Sequence, residues 1–357
     1  MKNYRIKDIA AMSGVSAGTV DRVLHNRGRV SEDALRKVQD AIKDIDYQPN
    51  LIARSLASKK DCRIITLIPS FKPGEYWEEV SKGIDRVESE LSDYHLRIER
   101  KFFNQYDKDS FDASVEELKN EEYQGIIIAT LFCGSTFLLT RQLDKKEIPY
   151  VLIDSYIDHT NCIAYYGTDS YKSGYIGGRL LYENINPDDN VLLFNIISRS
   201  RGSVESTQVS MREKGFRDYL SQSGYKGRLY PLSLSTEKPD YNQRVFEALF
   251  ERLANEDKPT RAGIIFNSRV HVPAKYFREN EIKNFCLIGY DAIKANTDFL
   301  KSGIVSHLIA QRPEVQGYNS VKALFYHLAL NQVAEKVNYM PIDILIKENI
   351  DYYNNYI

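Results

Sequence analysis

Residues 6–58 read IKDIAAMSGVSAGTVDRVLHNRGRVSEDALRKVQDAIKDIDYQPNLIARSLAS, and three short helices can be drawn through them. The first covers residues 5–13, with Ile6, Ile9 and Ala10 spaced onto one helical face, and Gly14 breaks it. Ser16 stands where an N-cap hydroxyl accepts an orphan backbone N–H. From there a second helix runs to about Asn26, burying Val20, Val23 and Leu24. Asn26, Arg27 and Gly28 make the next turn. Ser31 caps a third helix, in which Leu35, Val38, Ile42 and Ile45 recur at intervals of three and four. Tyr47-Gln48-Pro49 ends it, because proline cannot continue a helix and drives its predecessor toward extended backbone. Two helices on a tight glycine-containing turn with a third behind them is the helix-turn-helix layout, a periodicity that other small helical bundles share.

The local wording narrows that choice. KDIA, SGVS, TV-x-RVL and YQPNLIARSLA follow one another without a gap, and the stretch resembles the N-terminal DNA-binding segment of the lactose-repressor (LacI) family. The resemblance implies that residues 16–26 form the recognition helix in a major groove. Ala17, Gly18 and Arg22 then take the base-reading positions. Arg22 can pair bidentately with guanine O6 and N7, worth about 1–3 kcal/mol of discrimination. Ala17 offers a methyl group to a thymine methyl, and Gly18 permits close approach. Ser16, Thr19 and Asn26 are implied phosphate contacts, which position without reading sequence. Asp21 departs from the usual serine of the family; a carboxylate is unfavourable beside phosphates, which leaves it to orient Arg22 or to accept from a cytosine amino group. Residues 50–58 resemble the family's hinge helix, about two turns long and too short to stand alone. Its matching DNA-binding residues are Asn50, Ala53, Arg54 and Leu56. Ala53 would allow close pairing of two hinges, and Leu56 would wedge into the minor groove and bend the duplex. An ordinary linker leucine is the alternative for Leu56. Arg54, Lys59 and Lys60 suit phosphates.

Charge follows the same division. Residues 1–60 hold 12 Lys+Arg against 7 Asp+Glu, a balance of +5, while the rest of the chain holds 36 against 42, a balance of −6. A basic head on an acidic body suits an anionic partner for the head alone. The 357 residues suffice for two to three domains, and 43% hydrophobic with 27% charged residues is ordinary for a globular chain. The apolar run 126–133 is far short of the roughly 20 residues of a spanning helix, so no membrane partner is expected. The opening MKNYRIKDIA is no secretory signal, which points to a cytoplasmic setting. Cys62, Cys133, Cys162 and Cys286 form no CxxC pair, and the six histidines form no ligand motif, so neither a metal nor a cofactor is expected.

Beyond residue 62 short apolar runs alternate with helical stretches. Strands are expected at 63–69, 96–103, 125–130, 150–154, 163–167, 190–197, 227–234, 261–267, 285–290, 305–311 and 339–347. The clearest helices are 78–92, 170–184, 208–222 and 315–331. Such alternation builds doubly wound parallel sheets, and some 295 residues divide best into two lobes. Matches such as YKSGYIGGRLL, MREKGF, LIGYDA and IAQRPEVQGYNSVKAL resemble the periplasmic-binding-protein-like core of the LacI family. The expected fold is therefore an all-α helix-turn-helix head (1–49), a hinge and linker (50–61), and a two-lobed doubly wound α/β effector and dimerisation domain (62–357). Lobe one would take about 62–158 and 312–336, and lobe two about 159–311 and 337–357. The crossings would fall near 154–159, 291 and 311–313.

That resemblance implies a cleft lined by Tyr76, Trp77, Asp154, Arg212, Asn267, Asp291 and Gln311. Aromatics stack on sugar faces, carboxylates accept from hydroxyls, and amides offer donor and acceptor together. Plainer roles stand beside these: Tyr76 and Trp77 as core aromatics, Asp154 as a hinge cap, Asp291 as the N-cap of the next helix, Arg212 as a surface ion-pair partner. Sugar-binding relatives often carry an arginine after the first aspartate, where Ser155 and Tyr156 stand here. Asp169 suits an N-cap for the helix at 170, and Gly174, Gly177 and Gly178 read as close helix packing. The polar loop 198–207, with Arg199 and Arg201, reads as cleft wall or lid. No nucleotide-loop, nucleophile-elbow or other catalytic motif occurs, so no catalytic residue is assigned. The expectation is a ligand-responsive transcriptional regulator, bound as a homodimer to a near-palindromic double-stranded operator. Its effector would be a sugar or sugar derivative. A solute-binding protein and an enzyme on the same fold are the alternatives. The tail 351–357 lacks a leucine heptad for a tetramer coil.

Overall fold

The computed structural model describes residues 6–24, 28, 30–44, 62–197 and 206–353. The expected hinge, with Asn50, Ala53, Arg54 and Leu56, lies outside them, as do Asn26, Arg199 and Arg201. In the head, α1 (Ile6–Ser13), α2 (Ala17–Leu24) and α3 (Glu32–Asp44) enclose Ile9, Val20, Val38 and Ala41. The Thr19 N–H donates to Ser16 Oγ at 3.1 Å, and the Ala34 N–H reaches Ser31 Oγ at 3.4 Å, so both N-caps stand where the sequence put them. Gly14 turns the chain with φ +66°, a conformation glycine adopts without a Cβ penalty. Leu35 departs from expectation: it is 38% exposed, and Ala41 takes its place in the buried face.

The body holds two sheets of one design. The first lobe carries β1 (Cys62–Pro69), α4 (Tyr76–Glu90), β2 (Leu96–Phe103), α5 (Lys108–Leu118), β3 (Gly125–Ala129), α6 (Cys133–Lys145), β4 (Tyr150–Ile153) and β5 (Ala164–Gly167). The second carries α7 (Ser170–Tyr182), β6 (Asn190–Ile196), α8 (Thr207–Gln222), β7 (Leu229–Leu234), α9 (Pro239–Leu253), β8 (Thr260–Ile265), α10 (His271–Glu279), β9 (Cys286–Tyr290), α11 (Lys294–Lys301) and β10 (His307–Ala310). The chain then returns through α12 (Pro313–Leu330) and β11 (Val337–Tyr339) to the first lobe, and ends with β12 (Asp343–Leu345) in the second. Sheet orders are β2-β1-β3-β4-β5-β11 and β7-β6-β8-β9-β10-β12. Every pairing is parallel except β10 with β12. Central strands such as β3 are buried along their whole length, as sheets covered on both faces require.

Three boundaries differ from the sequence reading. β5 lies beside β4 in the first sheet, with Leu152 opposite Tyr165, so lobe one does not end near 158; the first crossing falls between Gly167 and Ser170. The polar run 158–161 looked like a linker because no helix separates these two strands, yet Ile157 and Cys162 on either side of it are buried. Asp291 marks no crossing; it follows β9 within the second lobe. The single strand expected at 339–347 is two strands in different sheets, β11 beside β5 and β12 beside β10, with Pro341 between them.

Each lobe is fastened by a glycine-mediated helix pair. A Cβ on Gly174 of α7 would stand 1.9 Å from the Arg212 carbonyl oxygen of α8, and one on Gly215 would stand 2.0 Å from that of Tyr171. In the first lobe Gly83 of α4 meets the Glu314 oxygen at 2.0 Å in the same sense, and Gly317 of α12 meets that of Val80 at 2.1 Å.

Candidate functional site

The carboxyl ends of both sheets face one cleft of about 380 Å³. This is where doubly wound sheets gather ligand-binding groups, since the strands deliver their following loops to one edge. The first lobe supplies Glu75, Tyr76, Trp77, Gln105, Tyr106, Phe132 and Asp154 to the wall. The second supplies Asn195, Gln208, Asn267, Ser268, Arg269, Asp291 and Gln311.

Asp154 and Asp291 hold equivalent places, one after β4 and one after β9. Both have left-handed backbone, φ +82° and +66°. Each carboxylate is buried and doubly held. Asp154 accepts from Gln208 Nε2 at 2.8 Å and Ser155 Oγ at 3.2 Å. Asp291 accepts from Ser268 Oγ at 2.6 Å and Gln311 Nε2 at 2.9 Å. Gln208 also reaches Gln311 Oε1 at 3.4 Å, and Thr168 donates to the same oxygen at 3.1 Å. The two acids are thereby joined through two amides, one from each of α8 and the end of β10. Burial lifts the Asp154 carboxyl to about 6 against the pull of the Arg212 charge. Burial lifts Asp291 as well, opposed again by Arg212.

The aromatics expected at the cleft are there. Tyr76 and Trp77 open α4, pack edge to face at 5.1 Å, and belong both to the wall and to the first lobe's core. The Tyr76 hydroxyl donates to Gln316 Oε1 at 3.5 Å. Asn267 lines the cleft with its Oδ1 held by the Arg269 N–H at 3.0 Å. Asp291 is no helix cap, since Ile293 occupies that place ahead of α11. Asp169 does cap α7, accepting from the Lys172 N–H at 2.9 Å.

Arg212 is where the structure corrects the sequence. It neither reaches into the cleft from the start of its helix nor sits on the surface. Its side chain is 1% exposed and lies behind the wall, with its guanidinium 4.0 Å over the Tyr290 ring and Nη1 donating to the Phe266 carbonyl at 2.9 Å. Its Nε has no partner among the described residues. It forms no ion pair within 4 Å there, yet it is close enough to bias both buried acids.

Eight of the wall residues named above were not expected there, and five of them are instructive. Asn195 could have been found as the one polar side chain near the carboxyl end of an otherwise apolar strand, NVLLFNI. Gln105 sits in a polar context that carries no periodic signal, while Gln208 lies in the first turn of α8, among that helix's buried residues with Arg212 and Phe216. Glu75 and Arg269 form an ion pair at 3.0 Å between the lobes, a relation invisible in one dimension.

In the head, Ala17, Gly18 and Arg22 stand on the exposed side of α2, with Ser16 exposed ahead of it and Thr19 half-buried. Ser16 and Thr19 hydroxyls lie 2.9 Å apart, and Arg22 makes no ion pair among the described residues.

A helix-turn-helix head followed by a two-lobed, periplasmic-binding-protein-like α/β body with a polar cleft defines the class. Comparison with known proteins agrees. The model of the periplasmic binding protein domain matches residues 65–332, and that of the bacterial regulatory proteins of the lacI family matches residues 5–50. A Bacteroides fragilis protein assigned as a LacI transcriptional regulator superposes with TM-score 0.76 at 34% identity, over 83% of this chain and 100% of that one. The ribose operon repressor of Halalkalibacterium halodurans is 26% identical over 74% of this chain and 72% of its own length. The HTH-type transcriptional repressor PurR of Mannheimia succiniciproducens is 23% identical over 97% of this chain and 98% of its own length. The chain belongs to the lacI family of bacterial regulatory proteins.

Proposed function

We propose that the protein is a cytoplasmic, effector-controlled repressor of a carbohydrate-uptake or catabolic operon, acting as a homodimer on a near-palindromic operator. The cleft carries this reading: two buried carboxylates at matched strand ends, bridged by Gln208 and Gln311 and flanked by Trp77, form an array of acceptors, amides and an aromatic face suited to a polyhydroxylated ligand. Relatives named as ribose and sucrose operon repressors support the sugar class. Ala17, Gly18 and Arg22 would read bases, and Ser16, Thr19 and Asn26 would hold phosphates. Residues 50–61, with Asn50, Ala53, Arg54 and Leu56, would pair at the operator centre. Tyr76, Trp77, Asp154, Asn267, Asp291 and Gln311 would hold the effector, with Arg212 acting through the two acids. No turnover of the effector is expected. Coupling between cleft and operator is reciprocal, so effector affinity must change when DNA is bound.

The test is calorimetry against a panel of pentoses, hexoses and disaccharides, paired with operator-binding titrations. Asp291→Ala should abolish effector binding while leaving operator affinity within about twofold of wild type. Undiminished effector binding by this variant overturns the cleft assignment, and absence of any preferred duplex overturns the regulator reading.

A further inference from the structure

Two of the cross-lobe contacts among the described residues sit at different depths of the cleft. Gln208 meets Asp154 on the floor. At the rim Arg269 Nη2, from the loop after β8, meets Glu75 Oε1, from the N-cap of α4, at 3.0 Å. The rim pair is set from both sides. The second oxygen of Glu75 accepts from the Lys72 N–H at 3.0 Å, which aims Oε1 across the gap. The Arg269 backbone N–H is tied to Asn267 Oδ1, and its guanidinium also approaches the Tyr106 hydroxyl at 3.5 Å. Both side chains are mostly sheltered, 17% exposed for Arg269 and 21% for Glu75. Burial opposes the charge on Glu75, but the Lys72 N–H and Arg269 outweigh it and hold the carboxyl below its ordinary range.

We infer that Glu75 and Arg269 form a cross-cleft latch that sets the balance between open and closed lobes and so regulates how the site engages its effector. The inference rests on the cleft being the effector site, but its geometry needs no effector to be tested. The pair can exist only when the two loops approach, so separating the lobes must break it. Both residues line the cleft, so an occupant is gripped or released as the latch closes or opens. These are positioning residues: they act through the lobe arrangement, and their charges cancel each other.

The protein carries its own reporter. Trp77 is the only tryptophan of the chain, lies two residues from Glu75, and is 5% exposed. Full-length Arg269→Gln and Glu75→Gln should each shift the open-to-closed ratio by about fivefold, the weight of one partly shielded ion pair. The expected readouts are red-shifted Trp77 emission, easier acrylamide quenching, and a larger radius of gyration by small-angle scattering, which is blind to local charge. The double variant Glu75→Arg with Arg269→Glu should return all three toward wild type, and Arg269→Lys should do so in part. Wild-type emission, quenching and radius in both single variants overturn the latch. A charge exchange that remains as open as the singles does the same. Because no sugar is added, these outcomes stay separate from success or failure of the effector reading.

Discussion

The two lobes share a sheet order, a left-handed aspartate at the cleft edge and a glycine-locked helix pair, yet they complete themselves differently. In the second lobe α7 and α8 are near neighbours in sequence, and their lock forms within residues 170–222. In the first lobe α4 waits for α12, which arrives only after the chain has passed through all of the second lobe but its last strand, β12. The same architecture is thus local in one half and long-range in the other. Closing the first lobe costs the loop entropy of more than half the chain, so the second lobe is the better candidate for early folding.

The largest test of that equivalence is to fill the glycine contacts. Gly174→Ala and Gly83→Ala each drive a methyl group into a carbonyl oxygen that the helix backbone cannot withdraw. Each should lower stability by about 2–3 kcal/mol, read from the urea midpoint. The lobes are unequal in this respect if only one variant is destabilised. Gly174→Ala should also weaken effector binding, because it displaces the backbone of Arg212, whereas Gly83→Ala should not.

The paired acids give a second test. Asp154 is raised from 3.8 to about 6 by burial, so the folded chain holds that proton more tightly than the unfolded chain. Its stabilisation is full below about pH 4 and is lost as pH rises through about 6, roughly 3 kcal/mol in all. Asp154→Asn should therefore melt higher than wild type near pH 7.5 and match it near pH 4. A difference that does not vary with pH removes the buried-acid account of the floor.

A third comparison sets head against body. Arg22→Ala should lose about 1–3 kcal/mol on the operator while salt-sensitive binding to other DNA persists. Equal loss on every duplex, measured by anisotropy titration, rules out base reading by Arg22. The smallest effect is expected at Gly18, where an added methyl would meet only Ser16 Oγ at 3.8 Å. Gly18→Ala should stabilise the head by up to about 1 kcal/mol in thermal melts, while altering which operator is preferred.

How legible these features were follows from the range over which each is encoded. Ser16 and Ser31 cap their helices, and the apolar alternation marks nearly every strand, because caps and periodicity are decided within a few residues. Tyr76, Trp77, Asp154, Asn267, Asp291 and Gln311 do meet at one cleft. The lobe boundary at β5 was obscured because two parallel strands are joined there without a helix, so the expected rhythm skips a beat. Arg212 was misplaced because the resemblance implied a side chain reaching into the cleft, whereas it lies buried behind the wall. Only the three-dimensional packing of Tyr290 and the Phe266 carbonyl shows it turned inward. Glu75 with Arg269, and Gln208 with Asp154, are separated by 194 and 54 positions, and no local signal carries such pairs.

The return of the chain at residue 312 has a mechanical consequence. Arg312 adopts φ +53°, binds Asp343 through two nitrogens at 2.7 and 3.2 Å, and donates its own N–H to the Tyr353 hydroxyl at 3.2 Å. Of the three segments that span the halves, the second and third are therefore riveted together and travel as one ribbon. Two plates joined at two places rather than three can swing about a single line but cannot easily slide or shear. If an occupant of the cleft moves the two halves, the motion left open to them is therefore a rotation about the line through those two ties.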